Sequence, residues 1–447
     1  MTDVPAQVAQ AAKVFLYGYP LVYNLDEIAK FPGGPSVLGG VPAPFNTLTG
    51  APALLGPDAT FVSPNNDTLY LMAAMNLGGG PLLLRVPDTG GRYYVLQFVD
   101  AWTNNFAYIG RRATGTEAGE FVLTPPGYEG PLPEGVPVVH FPTRVGVIVG
   151  RIAVDGVDDV PAVHALQEQF TLTTLDGGPV DTTPRLPQPD PRVPAELAWW
   201  ESFRVALAAF PPPSADAEFL AGCAQLGLTA PESPYVDADP QLAALLVDAQ
   251  RAGEAELEQL ITHAGKPVNG WQMTGHIFDY NDDFFEVGTL NTAEWTIPDR
   301  ARAYATRAVA ARAGLWGNHG YEATYLVVYV DADGQPLDSS HRYELTLPAA
   351  PPVEAFWSLT MYDVPEFYLV GNEIDRYAVG DRTPGLVTAE DGSFTLYLQA
   401  DRPEEPEKAA NWLPTPKQGP FRPIMRLYQP SAPILDGTFV LPPIRRV

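Results

Sequence analysis

The chain has 447 residues, of which 46% are apolar, 11% aromatic and 18% charged, with 48 Pro, 40 Gly and one cysteine, Cys223. This length suits two or three domains with well-formed cores, and the apolar and aromatic content excludes a disordered chain. Acidic residues outnumber basic ones 53 to 27, giving a formal charge of −26, so phosphate backbones and anionic lipid are repelled and neither nucleic acid nor a membrane is an expected partner. A lone cysteine rules out an intrachain disulfide and a thiolate metal cluster. The start of the chain has no basic region followed by an apolar one, and no uninterrupted apolar run is long enough to span a bilayer. The expected location is cytoplasmic.

Apolar residues at helical spacing over 8–22, including Ala11, Phe15 and Leu16, predict one short amphipathic helix interrupted by Gly18 and Pro20. From about residue 81 to 152, short runs rich in Val, Tyr, Phe and Ile, such as RYYVLQFV and VGVIVGRI, predict antiparallel strands. Residues 181–192 have linker composition. Helical patterns follow over 195–210, 216–226, 241–263 and 298–314. Strands then resume with ATYLVVYV, RYELTL, AFWSLTMY, SFTLYLQ and PIMRLY.

The two strand-rich stretches share an ordered series of features. Asp67 and Tyr70 match Glu322 and Tyr325, and Arg92-Tyr93 match Arg342-Tyr343. Asp100 matches Asp363, Phe106 and Gly110 match Phe367 and Gly371, and Gly119-x-Phe121-x-Leu123 matches Gly392-x-Phe394-x-Leu396. Arg151-Ile152 matches Arg426-Leu427. The prediction is a mainly β (α+β) chain of two related antiparallel β-sandwich or jelly-roll-like domains joined by helices, with divisions at 1–185, 186–317 and 318–447.

The run from Ser63 to Tyr70 places Asn65, Asn66 and Asp67 at a strand entrance, where amides and a carboxylate can orient a ligand or transfer protons. The same run reads structurally as an Asx turn after Pro64. The repeated acid and tyrosine, Asp67 with Tyr70 and Glu322 with Tyr325, could meet across a pseudo-twofold interface. Asp100, followed by Trp102 and Asn104, and Asp363, preceded by Tyr362, end matched strands; each carboxylate either caps its turn or faces a cavity. Arg111, Arg112, Arg151 and Arg426 are candidate charge partners, with Arg111 and Arg426 as anchors for an anionic group.

His276, Asp279 and Asp283 fall at i, i+3 and i+7 and would share one face of a helix, the best metal candidate in the chain; the alternative is an acidic loop with its aromatics packed inward. His319 stands between glycines that would leave its imidazole uncovered, as a general base or metal ligand oriented by Glu322, or as a helix C-terminal histidine. Asn411 and Trp412 open a proline-rich turn that plugs a sandwich end or walls a pocket. Dinucleotide, Walker and nucleophile-elbow motifs are absent. His140, His164, His263 and His341 show no partner, and the scarcity of lysine, with Lys266 alone in mid-chain, argues against Schiff-base chemistry.

The segments SPNNDTLY (63–70), GRYYVLQFVDAWTNNFAYIGRR (91–112), AFWSLTMYD (355–363), NEIDRYAVGDRTPGL (372–386), NWLPTP (411–416) and MRLYQP (425–430) resemble the bacterial proteins that join two domains of unknown function, numbered 1254 and 1214. The resemblance implies a two-domain, β-rich and homo-oligomeric protein, and carries no catalytic residue set. Segment GHIFDYNDDFFEVGT (275–289) is longer than the linker such proteins would lead one to expect.

The reading that follows is an enzyme acting on a small organic molecule by acid–base hydrolase or lyase chemistry, without an organic cofactor and with or without a divalent metal. Its pocket would lie between the β domains under the helical segment. His319 would be base or ligand, Asp67 and Glu322 acids or orienting groups, Tyr70 and Tyr325 hydrogen-bond donors, and Trp102, Trp357 and Trp412 apolar walls. The alternative is a non-catalytic protein that binds a small ligand or serves as a scaffold.

Overall fold

Residues alternating at period two, rich in Val, Ile, Tyr and Phe, form the strands where the sequence predicts them. A computed structural model describes residues 5–262 and 267–447; His263 and Lys266 lie outside the described residues. In the N-terminal half the strands are β1 (Thr49–Gly50), β2 (Thr68–Asn76), β3 (Leu82–Val86), β4 (Tyr94–Asp100), β5 (Asn105–Gly110), β6 (Gly119–Thr124), β7 (Val138–His140), β8 (Val145–Ala153) and β9 (Thr171–Thr174). They build one sheet of order β1-β2-β8-β4-β5 and a second of order β7-β6-β3-β9.

In the C-terminal half the strands are β10 (Trp271–Met273), β11 (Ala323–Val328), β12 (Tyr343–Leu347), β13 (Val353–Asp363), β14 (Ala378–Gly380), β15 (Phe394–Gln399), β16 (Trp412–Pro414), β17 (Phe421–Pro430) and β18 (Arg445–Arg446). Their sheets have the orders β10-β11-β17-β13-β14 and β16-β15-β12-β18, the N-terminal orders with each strand moved on by nine. Even the single parallel pair recurs, β6 with β7 and β15 with β16. The chain is an α+β fold of two related, predominantly antiparallel sandwiches.

The matching of strands corrects two of the correspondences expected from sequence. β12 is the counterpart of β3, so Arg342-Tyr343 does not match Arg92-Tyr93, which lead into β4. Gly110 pairs with Val95 as Gly380 pairs with Ser358, which makes Gly380, not Gly371, its counterpart. The C-terminal sheet also takes its edge strand, β10, from the segment expected to be purely helical.

The longer helices are α1 (Ala6–Ala29), α2 (Val160–Gln167), α3 (Ala198–Ala209), α4 (Ala217–Gln225), α5 (Pro240–Thr262) and α6 (Arg300–Gly314). α1 is not the short helix expected: it continues through Gly18 and Pro20. Proline costs a helix interior about 3 kcal/mol, but α1 is buried on nearly all sides among α3, α5 and α6, and that apolar burial outweighs the lost hydrogen bond. Gly18 makes room for Phe203 of α3, whose ring would stand 2.6 Å from an added Cβ. Asn24 ties α1 down, donating to the Asp100 and Ala101 carbonyls and accepting from Trp316 Nε1 at 2.8 Å.

Both five-stranded sheets are covered on both faces. In β2, Leu69, Leu71, Ala73 and Met75 enter the N-terminal sandwich core, while Tyr70, Met72 and Ala74 face the helical layer. β11 repeats the arrangement, with Leu326 and Val328 in the C-terminal core and Tyr325 and Val327 against the helices. The two sheets also touch directly, through Tyr93, Val95 and Tyr108 on one side and Ala323, Phe356 and Tyr428 on the other. No helix among the described residues is long and apolar enough to cross a membrane.

Candidate functional site

Each half sends the segment leading into its second strand across the seam and onto the other half's sheet. Residues 61–67 precede β2, yet Arg426 Nη2 donates to the Ser63 carbonyl at 2.7 Å, the Tyr362 hydroxyl donates to the Pro64 carbonyl, and Arg382 Nη2 donates to the Asp67 carbonyl at 2.7 Å. The Asp67 carboxylate accepts from Tyr428 at 2.9 Å and from Ser358. Residues 316–322 precede β11 and return the exchange. Arg151 Nη2 donates to the Trp316 carbonyl at 2.7 Å, Gln97 Nε2 to the Gly317 carbonyl at 2.8 Å, and Glu322 accepts from Tyr93 at 3.0 Å and Arg112 at 2.5 Å.

Strand register makes the equivalences explicit: Tyr70 is paired with Arg151 on β2 and β8, as Tyr325 is with Arg426 on β11 and β17. Arg151 Nη1 donates to Gln97 Oε1 at 2.8 Å, and Arg426 Nη1 donates to Thr360, which holds the matching place on β13, at 3.0 Å. Phe61 and Trp316, matched in the two lead-in segments, stack on each other with centroids 5.5 Å apart and planes 24° apart. The seam is a pseudo-twofold interface.

A cavity lies on this seam, with about 990 Å³ of empty space counted out to its mouth. Tyr70, Val149 and Arg151 form one wall, and Tyr325, Ile424, Arg426 and Tyr428 the other. Val309, Ala310 and Ala313 of α6 close it together with Ile261 of α5. Asn65, Tyr329 and Arg422 also line it.

Among the described residues the lining contains three guanidiniums, Arg151, Arg422 and Arg426, and no carboxylate. All three are buried, at 6%, 2% and 3% exposure. Their hydrogen-bond acceptors are neutral: besides those above, Arg151 reaches Asn318 Oδ1, and Arg422 donates to the Tyr329 hydroxyl at 2.9 Å and to Ser63 Oγ at 2.5 Å. Burial pulls the Arg422 pKa down, but a guanidinium stays protonated in any protein. Among the described residues, two donors on the lining are buried with no acceptor, Arg422 Nε and Asn65 Nδ2. Burial, then the neighbouring Asp67 carboxylate, raises the Tyr428 pKa well above its ordinary value. Buried charge without a counterion is costly, and this arrangement can take up an anion.

The sequence matches a protein of unknown function, DUF1254, over residues 45–174 and a second, DUF1214, over residues 322–432. The chain belongs to the family that joins these two domains. Among solved structures it is similar to the VPA0106 protein from Vibrio parahaemolyticus, with 25% identity and a TM-score of 0.67 over 99% of this chain and 100% of that one. It also matches a putative uncharacterised protein from Burkholderia cenocepacia, with 12% identity and a TM-score of 0.46 over 98% of this chain and 88% of that one. No curated protein matches the sequence.

In this DUF1254–DUF1214 protein Tyr70, Tyr325, Asn65 and Arg426 line the cavity, while Asp67 and Glu322 stand behind its lining, engaged by the partners given above. His319 is elsewhere, and its glycines do not uncover it. A Cβ at Gly317 would strike the Phe278 ring and one at Gly320 the Gly275 carbonyl, so the glycines permit close packing. The imidazole is 3% exposed, with the Tyr108 and Tyr321 hydroxyls each 3.0 Å from Nδ1. Burial, helped by Arg112, lowers its pKa to about 3.

Residues 276–283 form turns and loop, not the helix that would have put His276, Asp279 and Asp283 on one face. His276 Nδ1 lies 2.6 Å from Asp279 Oδ2, but Asp283 turns away to Arg300 at 3.1 Å, and among the described residues no group of three or more His, Cys, Asp or Glu could hold a metal ion. Trp102 donates to the Phe210 carbonyl beneath α1, and Asn104 is bonded to Asp100, whose pKa burial raises to about 6, and to Arg307. Arg111 reaches the Glu354 carbonyl at the surface, and Asn66 the Leu55 carbonyl. Trp357 stacks on Phe394 inside the C-terminal core, and Trp412 donates to the Gln399 carbonyl. Asn411 bridges Val387 and Thr395, and Tyr362 packs 5.4 Å from Arg426. Sequence reasoning missed Arg422, Tyr329 and Tyr428. Arg422 stands four residues before Arg426 in FRPIMR, on the same face at period two, and that spacing was the available signal.

Proposed function

We propose that this protein binds a small organic anion, an acidic group on an apolar body, in the cavity between its two five-stranded sheets. The observation that carries this reading is the set of three buried arginines around a largely apolar cavity with no carboxylate in its lining among the described residues. The orphaned donors Asn65 Nδ2 and Arg422 Nε support it, since a ligand's oxygens would satisfy them. The non-catalytic binding role thus has more support than acid–base hydrolase or lyase chemistry. Neither His319, Asp67 nor Glu322 lines the cavity, and the raised pKa of Tyr428 suits it to donating a hydrogen bond, not to acting as a base. Cytoplasmic work belongs to the same proposal, supported by the unpaired, buried Cys223, and so does a homo-oligomeric state, supported by family resemblance.

Calorimetric titration with 2-naphthoate and with its neutral analogue 2-naphthalenemethanol tests the reading. The acid should bind at least about tenfold more tightly, a difference of about 1.4 kcal/mol, and the gap should shrink as salt is added. Equal affinities would refute it.

A further inference from the structure

The cavity lining is paired across the pseudo-twofold at Tyr70 and Tyr325, at Arg151 and Arg426, and at Val149 and Ile424. One step further along the strands the pairing fails. Ala74 and Val147, partners on β2 and β8, occupy the places that Tyr329 and Arg422 hold in the C-terminal half. The N-terminal half therefore sends one guanidinium into the lining and the C-terminal half two, and those two converge. Arg422 Nη2 donates to Ser63 Oγ and Arg426 Nη2 to the Ser63 carbonyl at 2.7 Å. Both guanidiniums lie near one ring, that of Tyr362, at 5.9 and 5.4 Å from its centroid. Burial lowers the Arg422 pKa, and the charge of Arg426 adds to the fall. Among the described residues, three donors on this side have bonds still to give. Arg422 Nε and Asn65 Nδ2, the latter two residues along from Ser63, have no acceptor. The Tyr329 hydroxyl accepts from Arg422 Nη1 at 2.9 Å and keeps its own proton to donate.

We propose that the ligand is a phosphate monoester of an apolar alcohol, its single dianionic head held by Arg422, Arg426 and Tyr329 in the C-terminal half and its body directed towards Val149, Val309 and Ala313. This rests on the anion-binding reading above and adds the charge, shape and place of the acidic group. The lining carries three positive side chains, and Asp67, bonded to Tyr428 in the same wall and close enough to act on Arg426, offsets one of them. Two positive charges are left. One compact dianion balances both, where a carboxylate would leave one buried and uncompensated. A phosphoryl group also brings three acceptor oxygens to donors that surround a point, against two from a carboxylate. Arg151, whose Nη1 and Nη2 are bonded to Gln97, Asn318 and the Trp316 carbonyl, contributes charge and not contact. The chain's surplus of acidic residues is screened by salt over about 8 Å, so it governs approach, while the lining governs what is held.

The test is calorimetric titration of the full chain at pH 7.5 with 2-naphthyl phosphate, 2-naphthyl sulfate, 2-naphthoate and inorganic phosphate. The two esters share a shape and differ by one charge, because a phosphate monoester loses its second proton at about pH 6 and a sulfate ester has none to lose. 2-Naphthyl phosphate should bind at least about tenfold more tightly than the sulfate and than 2-naphthoate, and its advantage over the sulfate should close at pH 5, where it too is a monoanion. Arg422→Met should weaken all three naphthyl anions and the phosphate most, while Arg422→Lys, which keeps the charge, should retain part of the preference. Equal affinity for the phosphate and sulfate esters in the unmodified protein overturns the inference whether or not the variants fold. Inorganic phosphate that binds as tightly as the ester overturns the apolar body. If 2-naphthoate binds no better than 2-naphthalenemethanol, the anion-binding reading itself fails, a result distinct from either of these.

Discussion

His319 illustrates how neighbours decide what a residue can do. Its Nδ1 faces two tyrosine hydroxyls, the Phe278 carbonyl takes another hydrogen bond from the group, and Arg112 stands close by. Burial, then the Arg112 charge, outweigh the Phe278 bond, which favours the protonated form, and hold the imidazole neutral down to about pH 3, whereas in the unfolded chain it titrates near its ordinary value of 6.5. Below that value the unfolded state binds a proton that the folded state does not, so the contribution of His319 to stability is intact above about pH 6.5 and declines as pH falls towards 3. The expected decline is up to about 1.4 kcal/mol per pH unit. Urea unfolding at pH 7 and pH 5 should therefore show a smaller loss in His319→Gln than in the unmodified protein, and identical losses would contradict the buried, neutral assignment. Sequence indicated only that glycines flank this histidine; which rings fill the space they leave is set by residues up to 211 positions away.

Helix α1 shows what periodicity conveys and what it hides. A helix with one wet face displays a 3.6-residue rhythm, but α1 is surrounded, its apolar residues fall on every side, and Gly18 and Pro20 then look like a terminus. Strands buried on both faces were still legible, because β-branched and aromatic runs between turns mark them regardless of alternation. The same distinction separates two helical glycines. An added Cβ at Gly18 meets the Phe203 ring, whereas one at Gly222 in α4 meets nothing within 4 Å among the described residues outside its own helix turn. Gly18→Ala should destabilise the protein by about 1–3 kcal/mol through overpacking, and Gly222→Ala should stabilise it by about 0.5–1 kcal/mol through helix propensity. Chemical denaturation of both variants checks the pair, and effects of the same sign would show that the packing around α1 and α3 is not as described.

For the molecule as a whole, the duplication was readable as an ordered recurrence of Asp/Glu, Tyr and Arg, and the cavity's position between the halves was expected from the general preference of ligands for domain junctions. The exchange of lead-in segments was not readable, because bonds such as Arg426 to Ser63 and Tyr93 to Glu322 span hundreds of residues and follow no local spacing. They do have a thermodynamic signature. Freeing either sandwich would strand Arg151, Glu322, Asp67 or Arg426 without partners, so the two halves should melt in one calorimetric transition whose van't Hoff and calorimetric enthalpies agree. Two resolved peaks would mean that the seam contributes little. The mismatch of Arg422 with Val147 reaches beyond energetics. Two identical chains meeting on an axis must carry every new side chain twice, so whatever they enclose inherits their symmetry; a single polypeptide that embraces itself is released from that obligation, and its hollow can acquire a direction, a front and a back, by changing one copy alone.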